Sequence, residues 1–156
     1  MSLSTLEKVL FLRGVELFGE LASEDLAPVA RIADELTIDA GERFISQGDL
    51  GDCMYVIVDG QASIVLDGIG ELTRRGPKSI IGEMAIIARR PRAANCIALT
   101  DITALRVDHD AFWELMEEQP GLARATITVL AGRFEEALAR LPAAKGDALA
   151  DHTMSP

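Results

Sequence analysis

From about residue 35 to residue 107 the chain breaks into eight short, β-branched runs separated by Gly, Asp or Pro, and this punctuation leaves few folds open. The runs are 35–38, 43–47, 54–58, 62–66, 72–75, 79–81, 95–99 and 103–107. Strands this short cannot bury a face singly, so they predict an antiparallel sheet rolled upon itself. The expected class is mainly β: an eight-stranded antiparallel β-roll or jelly-roll barrel over about residues 37–107.

Helical periodicity frames the roll on both sides. Ser4 and Glu7 stand at capping-box spacing, and Leu6, Val9 and Leu10, then Val15, Leu17 and Phe18 beyond Gly14, predict a helix, a turn and a short second helix. Ser23, Glu24 and Asp25 open another helix that carries Leu26, Val29, Ala30 and Ala33 to about Leu36, giving N-terminal helices over about 4–36. After the roll, Asp108 is placed to cap a helix through Phe112, Trp113 and Met116. Pro120 suits the first turn of a longer helix that reaches about Leu141 and is ended by Pro142, so a C-terminal helix pair occupies about 108–141. One domain of residues 1–142 results, followed by a small, polar tail, 143–156, expected to be disordered.

At 156 residues and 49% apolar content the chain can bury one real core, with no room for a second module. Its formal charge of −10 argues against nucleic acid as a partner, because phosphate backbones are held by clustered Lys and Arg. Cys53 and Cys96 lie singly in apolar runs, without metal-ligand spacing, and read as core residues of a reducing compartment. The apolar stretches are too short for a membrane span, so the expectation is a cytoplasmic chain that makes no membrane contact.

The only dense basic cluster is Arg89, Arg90 and Arg92, and it sits in the segment 82–94. There Gly82 allows close backbone approach, and the helix formers after it should make about one turn whose free N–H groups face an anion. Arg92 adds a guanidinium fork able to hold two phosphate oxygens, while Glu83 can accept from a sugar hydroxyl. Arg89 and Arg90 read as solvated loop residues.

This segment resembles the phosphate-binding cassette of the cyclic nucleotide-binding domains, whose pattern is Phe-Gly-Glu-Leu-Ala, a short variable stretch, then Pro-Arg-Ala-Ala. Gly82, Glu83 and Ala85 match the first half, and Pro91, Arg92, Ala93 and Ala94 the second; Ile81 and Asn95 depart from common choices beside it. Residues 47–52 with Met54, Tyr55, Val56 and Ile57 also resemble the family; Gly48, Gly51 and Gly60 there read as turn residues and Tyr55 as a packing residue. The resemblance covers about residues 10–141. It implies a non-enzymatic sensor that holds a cyclic nucleotide through Gly82, Glu83, Met84, Ala85, Arg92, Ala93 and Ala94. It implies Arg92 on the phosphate with the backbone N–H groups of Ala85 and Ala93, and Glu83 on the ribose 2′-hydroxyl. Cyclic AMP is expected rather than cyclic GMP, because Ala93 stands where cyclic GMP binders often carry Thr or Ser. A fused or associated effector domain is implied, and a homodimer through the C-terminal helix is open.

Other functions fare less well. An eight-stranded roll also hosts metal-dependent cupins, but His109 and His152 are the only histidines and neither lies on a predicted strand, so no metal site and no catalytic residues are expected. A transcription regulator would need a basic recognition helix, which would have to lie outside this sequence. A protein-interaction domain that has lost its ligand would not need Glu83 and Arg92. Along the last helix, Leu122, Ile127, Leu130, Phe134, Leu138 and Leu141 form an apolar stripe that could pack on the roll, cap a bound base or pair with a second copy, and spacing does not rank these.

Overall fold

In the computed structural model, which describes residues 2–141, eight strands form two four-stranded antiparallel sheets. Pro142 and the tail 143–156 lie outside the described residues. The elements run α1 (Thr5–Leu12), α2 (Ser23–Ile32), β1 (Asp34–Ile38), β2 (Arg43–Ile45), β3 (Cys53–Asp59), β4 (Ala62–Leu66), β5 (Gly70–Arg75), β6 (Ile80–Ile81), α3 (Met84–Ala88), β7 (Asn95–Ala98), β8 (Ile102–Asp108), α4 (His109–Glu118) and α5 (Pro120–Ala139). One sheet has the order β1-β8-β3-β6 and the other β2-β7-β4-β5. The strands therefore do not close into the expected barrel: the two sheets face each other as a sandwich.

The two central strands of the first sheet, β3 and β8, are buried on both faces. Alternation along β3 and β8 explains how: Ile57, Ile102 and Ala104 face the second sheet with Ile38, Ile45, Ala62 and Cys96. Met54, Val56, Leu105 and Val107 point the other way, into a second core made with the helices. Strands covered on both sides carry apolar residues at nearly every position, as these two do. β5, by contrast, is exposed along most of its length.

The helical core is built from Leu12, Phe18, Leu26, Val29, Phe112 and Leu122, with Phe18 and Phe112 edge-to-face at 6.3 Å. The capping box of α1 forms as expected, Glu7 N–H donating to Ser4 Oγ and Ser4 N–H to Glu7 Oε1, each at 3.1 Å. Three local expectations are corrected. Val15, Leu17 and Phe18 lie in consecutive turns rather than a second helix, because burying all three against α2 and α4 outweighs helical continuity past Gly14. α2 ends at Ile32, not near Leu36, because β1 pairs with β8 from Asp34 onward. Asp108 precedes α4 but caps nothing with its side chain, which accepts from Arg106 Nε at 3.0 Å instead.

Phe112 is fully buried where α4 meets the N-terminal turns. Phe112→Ala should cost about 3–5 kcal/mol, the usual loss for a large aromatic removed from a core that cannot collapse. Urea denaturation checks it; a loss below about 1 kcal/mol would mean that the helices do not share one core.

Candidate ligand-binding site

The site begins where β6 pairs with β3, Ile80 opposite Val56 and Ile81 opposite Tyr55, which delivers Gly82 to the edge of the first sheet. Gly82 adopts φ +80°, and any Cβ there would collide with Arg92 Nη1. Both facts require glycine. The next residues form α3, with Ala85 and Ile86 buried and Met84 exposed. In this short turn the Ala85 N–H donates to Gly82 O at 3.0 Å and the Ile86 N–H to Glu83 O at 3.1 Å. The Ala85 N–H, expected to be free, is thus engaged within the turn.

α3 ends at Arg89 in the left-handed conformation, φ 44°, which reverses the chain toward Pro91. The returning limb pairs with residues 48–51. Arg92 N–H donates to Asp49 O at 2.7 Å, Gly48 N–H to Arg92 O at 2.9 Å and Gly51 N–H to Arg90 O at 3.0 Å, around a Leu50–Pro91 bridge. A Cβ on Gly51 would stand 2.8 Å from Ala85 Cβ and 3.0 Å from Arg92 Nε. Gly51 is therefore more than a turn residue: it makes room for the arginine, a role that sequence reasoning missed. The signal available was Gly51 itself, placed in the second segment of family resemblance.

The Arg92 side chain is held from one side only. Its Nη2 donates to Cys53 O at 2.8 Å and lies 3.5 Å from Cys53 Sγ, while Nη1 is buried with no partner among the described residues. A buried donor without an acceptor is costly and uncommon in folded proteins. Arg92 lines a cavity of about 340 Å³, together with Gly82, Glu83, Met84, Ala85, Ala93 and Ala94. All seven residues singled out in the sequence thus meet in one place, over a floor of Ile45, Ile64 and Ile81.

Glu83 is not free in this structure. Its Oε1 accepts from Nη1 of Arg133 on α5, and Arg133 Nη2 reaches Glu16 Oε2 at 3.3 Å. Arg133 escaped the sequence reading, which followed the apolar stripe of α5 and not the charged residue beside it. Arg89, expected to be solvated, pairs with Asp110 at 2.7 Å, and Trp113 Nε1 donates to Ile86 O, so two polar contacts tie the loop to α4. Arg90 is exposed at the cavity mouth.

Neighbouring groups are neutral packing partners. Tyr55 stacks edge-on against Phe44 at 5.4 Å, and burial pushes its hydroxyl up to about 12. Burial also pushes the Cys96 thiol, on the cavity wall, up to about 11, against the opposing pull of Arg92 and Arg75. Among the described residues no group of three or more His, Cys, Asp or Glu could hold a metal ion, and no helix is long and apolar enough to cross a membrane.

A half-buried guanidinium with an unpaired nitrogen, a carboxylate beside it and an apolar floor have the chemistry of a pocket for a small, anionic, hydroxylated molecule, set at the edge of a β-sandwich. The chain belongs to the cyclic nucleotide-binding domain family, whose model matches residues 35–119. It is 33% identical over 100 residues to a cAMP-dependent protein kinase regulatory subunit of Yarrowia lipolytica, covering 64% of this chain and 26% of that protein. It is 30% identical over 117 residues to the same kind of subunit from Emericella nidulans, covering 74% and 28%. The matches thus span about a quarter of the length of these relatives. The fold resembles the N-terminal domain of a transcriptional regulator from Streptomyces coelicolor A3(2), with TM-score 0.77 and 28% identity over 87% of this chain and 99% of that one. It also resembles the regulatory domain of Toxoplasma gondii PKA solved with cAMP, with TM-score 0.66 and 27% identity over 71% and 44%.

The Cys96 thiol provides a check on the packing of this wall. A thiol at about 11 is ionised in about one molecule in a thousand at pH 8, so iodoacetamide should leave Cys96 unmodified in the native protein and alkylate it in urea. Rapid native labelling would show that the cavity wall is open to solvent.

Proposed function

We propose that this chain is a non-enzymatic cyclic AMP sensor: one domain over about residues 1–142 that binds the nucleotide in the segment 82–94 and passes its occupancy to a fused or associated effector domain. The observation that carries this reading is the unpaired, buried Nη1 of Arg92 facing Gly82 in a cavity with Glu83. The cyclic phosphate supplies the acceptor that this nitrogen lacks, and the Ala93 N–H, which donates to no backbone carbonyl among the described residues, adds a second donor. Glu83 takes the ribose 2′-hydroxyl. The relatives named as cAMP-dependent regulatory subunits, and the neighbour solved with cAMP, support the choice of nucleotide.

Ala93 offers a methyl group where a hydroxyl could hold the guanine amino group, so cyclic AMP is preferred over cyclic GMP. For output, Trp113 and Arg89 carry movement of α3 into α4, and the bend at Gln119-Pro120 passes it to α5. Ile127, Phe134 and Leu138 are exposed along α5, an apolar face that suits closure over the base, an effector domain or a second copy of the chain.

Calorimetry tests the assignment. Wild type should bind cyclic AMP in preference to cyclic GMP. Arg92→Ala should lose about 2–5 kcal/mol, because a buried phosphate is left without its counter-charge, and Arg92→Lys should recover only part. Unchanged affinity in Arg92→Ala would sink the reading, and cyclic GMP ahead in wild type would overturn the nucleotide preference.

A further inference from the structure

Asn95 departs from the common choice at its place beside the ligand segment, and nucleotide binding as described above makes no use of it. It is nonetheless a buried polar side chain, 2% exposed, at the first position of β7. Its Oδ1 accepts from the Gln47 N–H at 2.8 Å, and its Nδ2 donates to Asp67 Oδ1 at 2.7 Å and to Val65 O at 3.2 Å. Gln47 Oε1 in turn accepts from the Asp67 N–H at 2.8 Å. Gln47 beyond the end of β2, Asp67 beyond the end of β4 and Asn95 at the start of β7 thus close a ring of hydrogen bonds.

The ring requires an amide at position 95. A backbone N–H on one side and a backbone carbonyl on the other fix which end of the side chain is oxygen and which is nitrogen. An ionised aspartate has no donor, and a serine or threonine hydroxyl has one proton for two acceptors. Burial makes the demand strict, because a buried polar group without its partner keeps the full penalty of having left water.

This ring abuts the backbone ladder that holds Arg92. Gly48, the residue after Gln47, donates to Arg92 O at 2.9 Å, and Arg92 N–H donates to Asp49 O at 2.7 Å. Residues 47–49 therefore grip the returning limb at two points, Arg92 and Asn95, and Ala93 and Ala94, which line the cavity, are strung between them. With the second grip gone, the limb is free to rotate about the first. The Arg92 side chain, tethered to Cys53 O by Nη2, then loses the fixed aim of Nη1.

We propose that Asn95 is a positioning residue of the ligand site: through Gln47 and Asp67 it fixes the Arg92–Ala94 backbone so that Arg92 Nη1 and the Ala93 N–H converge on one anion. The inference rests on the cyclic nucleotide reading above and deepens it. Asp67 does not line the Arg92 cavity, so a change of charge there reaches the phosphate site without touching it. Coupling of this kind is reciprocal, and bound nucleotide must tighten the ring by the factor with which the ring favours nucleotide.

The test is a charge swap, read by calorimetry with cyclic AMP, phosphorus NMR of the bound nucleotide and urea unfolding. Asn95→Asp sets a carboxylate against Asp67; it should weaken binding about tenfold and, at saturating nucleotide, move the bound phosphorus resonance toward the free position. Asp67→Asn alone should weaken binding about threefold, since an amide accepts less strongly than a carboxylate. The double substitution returns one donor and one acceptor to the ring and loses only the bond to Val65 O, so it should recover affinity to within about threefold of wild type and restore the resonance. Gln47→Ala opens the ring from its less buried side and should weaken binding about threefold, which decides the question if Asn95→Asp does not fold. Wild-type affinity in Asn95→Asp or in Gln47→Ala, a double substitution that unfolds like wild type without recovering binding, or weakened binding with an unmoved resonance would each overturn the role of Asn95 while leaving the functional reading in place. Wild-type protein that does not bind cyclic AMP would overturn that reading and this inference with it.

Discussion

Everything around the ligand loop is arranged to hold one guanidinium. Arg92 enters on a limb whose backbone is zipped to residues 48–51, is fixed at one nitrogen by the carbonyl of Cys53, and needs glycine at both 51 and 82 because a side chain at either position would occupy its space. The other nitrogen is buried and unpaired among the described residues. In a chain of net charge −10 the long-range field repels an anion, so on the proposed function recognition would rest on this local donor. The apolar interior contributes by weakening competition from water. The sandwich thus serves as a frame in which the first residue of β3 supplies the anchor and two glycines supply the clearance.

The same loop is wired to the helices. α3 is too short to have stability of its own, and it is held by burial of Ala85 and Ile86 and by the Trp113 contact to the Ile86 carbonyl. Arg89 adds an exposed ion pair to α4, worth little in energy and useful mainly for register. On the opposite flank Arg133 connects α5 to Glu83. Two routes therefore join the cavity to the C-terminal helices, one through backbone and indole, the other through a carboxylate. A ligand shifts such a system only by its different affinity for the docked and undocked arrangements.

The sequence made some of this legible and hid the rest for definite reasons. Eight short β-branched runs announced the strands, and each run falls on or beside an observed strand. The seven loop residues were singled out because Gly82, Glu83 and Pro91 to Ala94 are close in sequence and resemble the family's cassette, and all seven line one cavity. Closure was misjudged, since alternation along a strand fixes which side chains point inward without fixing whether the sheet edges meet. Val15, Leu17 and Phe18 kept helical spacing yet fold as turns, because tertiary burial overrides local pattern. Gly51 and Arg133 were missed for a different reason. One acts by making space for a residue 41 positions later, and the other reaches Glu83 across 50 positions, separations at which spacing carries no signal.

The central claim is that the Arg92 guanidinium is completed by a cyclic phosphate. Phosphorus NMR of cyclic AMP reports on that atom directly. Added to the wild-type domain, the nucleotide should show a bound resonance displaced from that of the free molecule, and the displacement should disappear when Arg92 is replaced by Ala at matched occupancy. A bound resonance at the free position, or one displaced equally in both proteins, would contradict the account, because the phosphate would then lie away from Arg92.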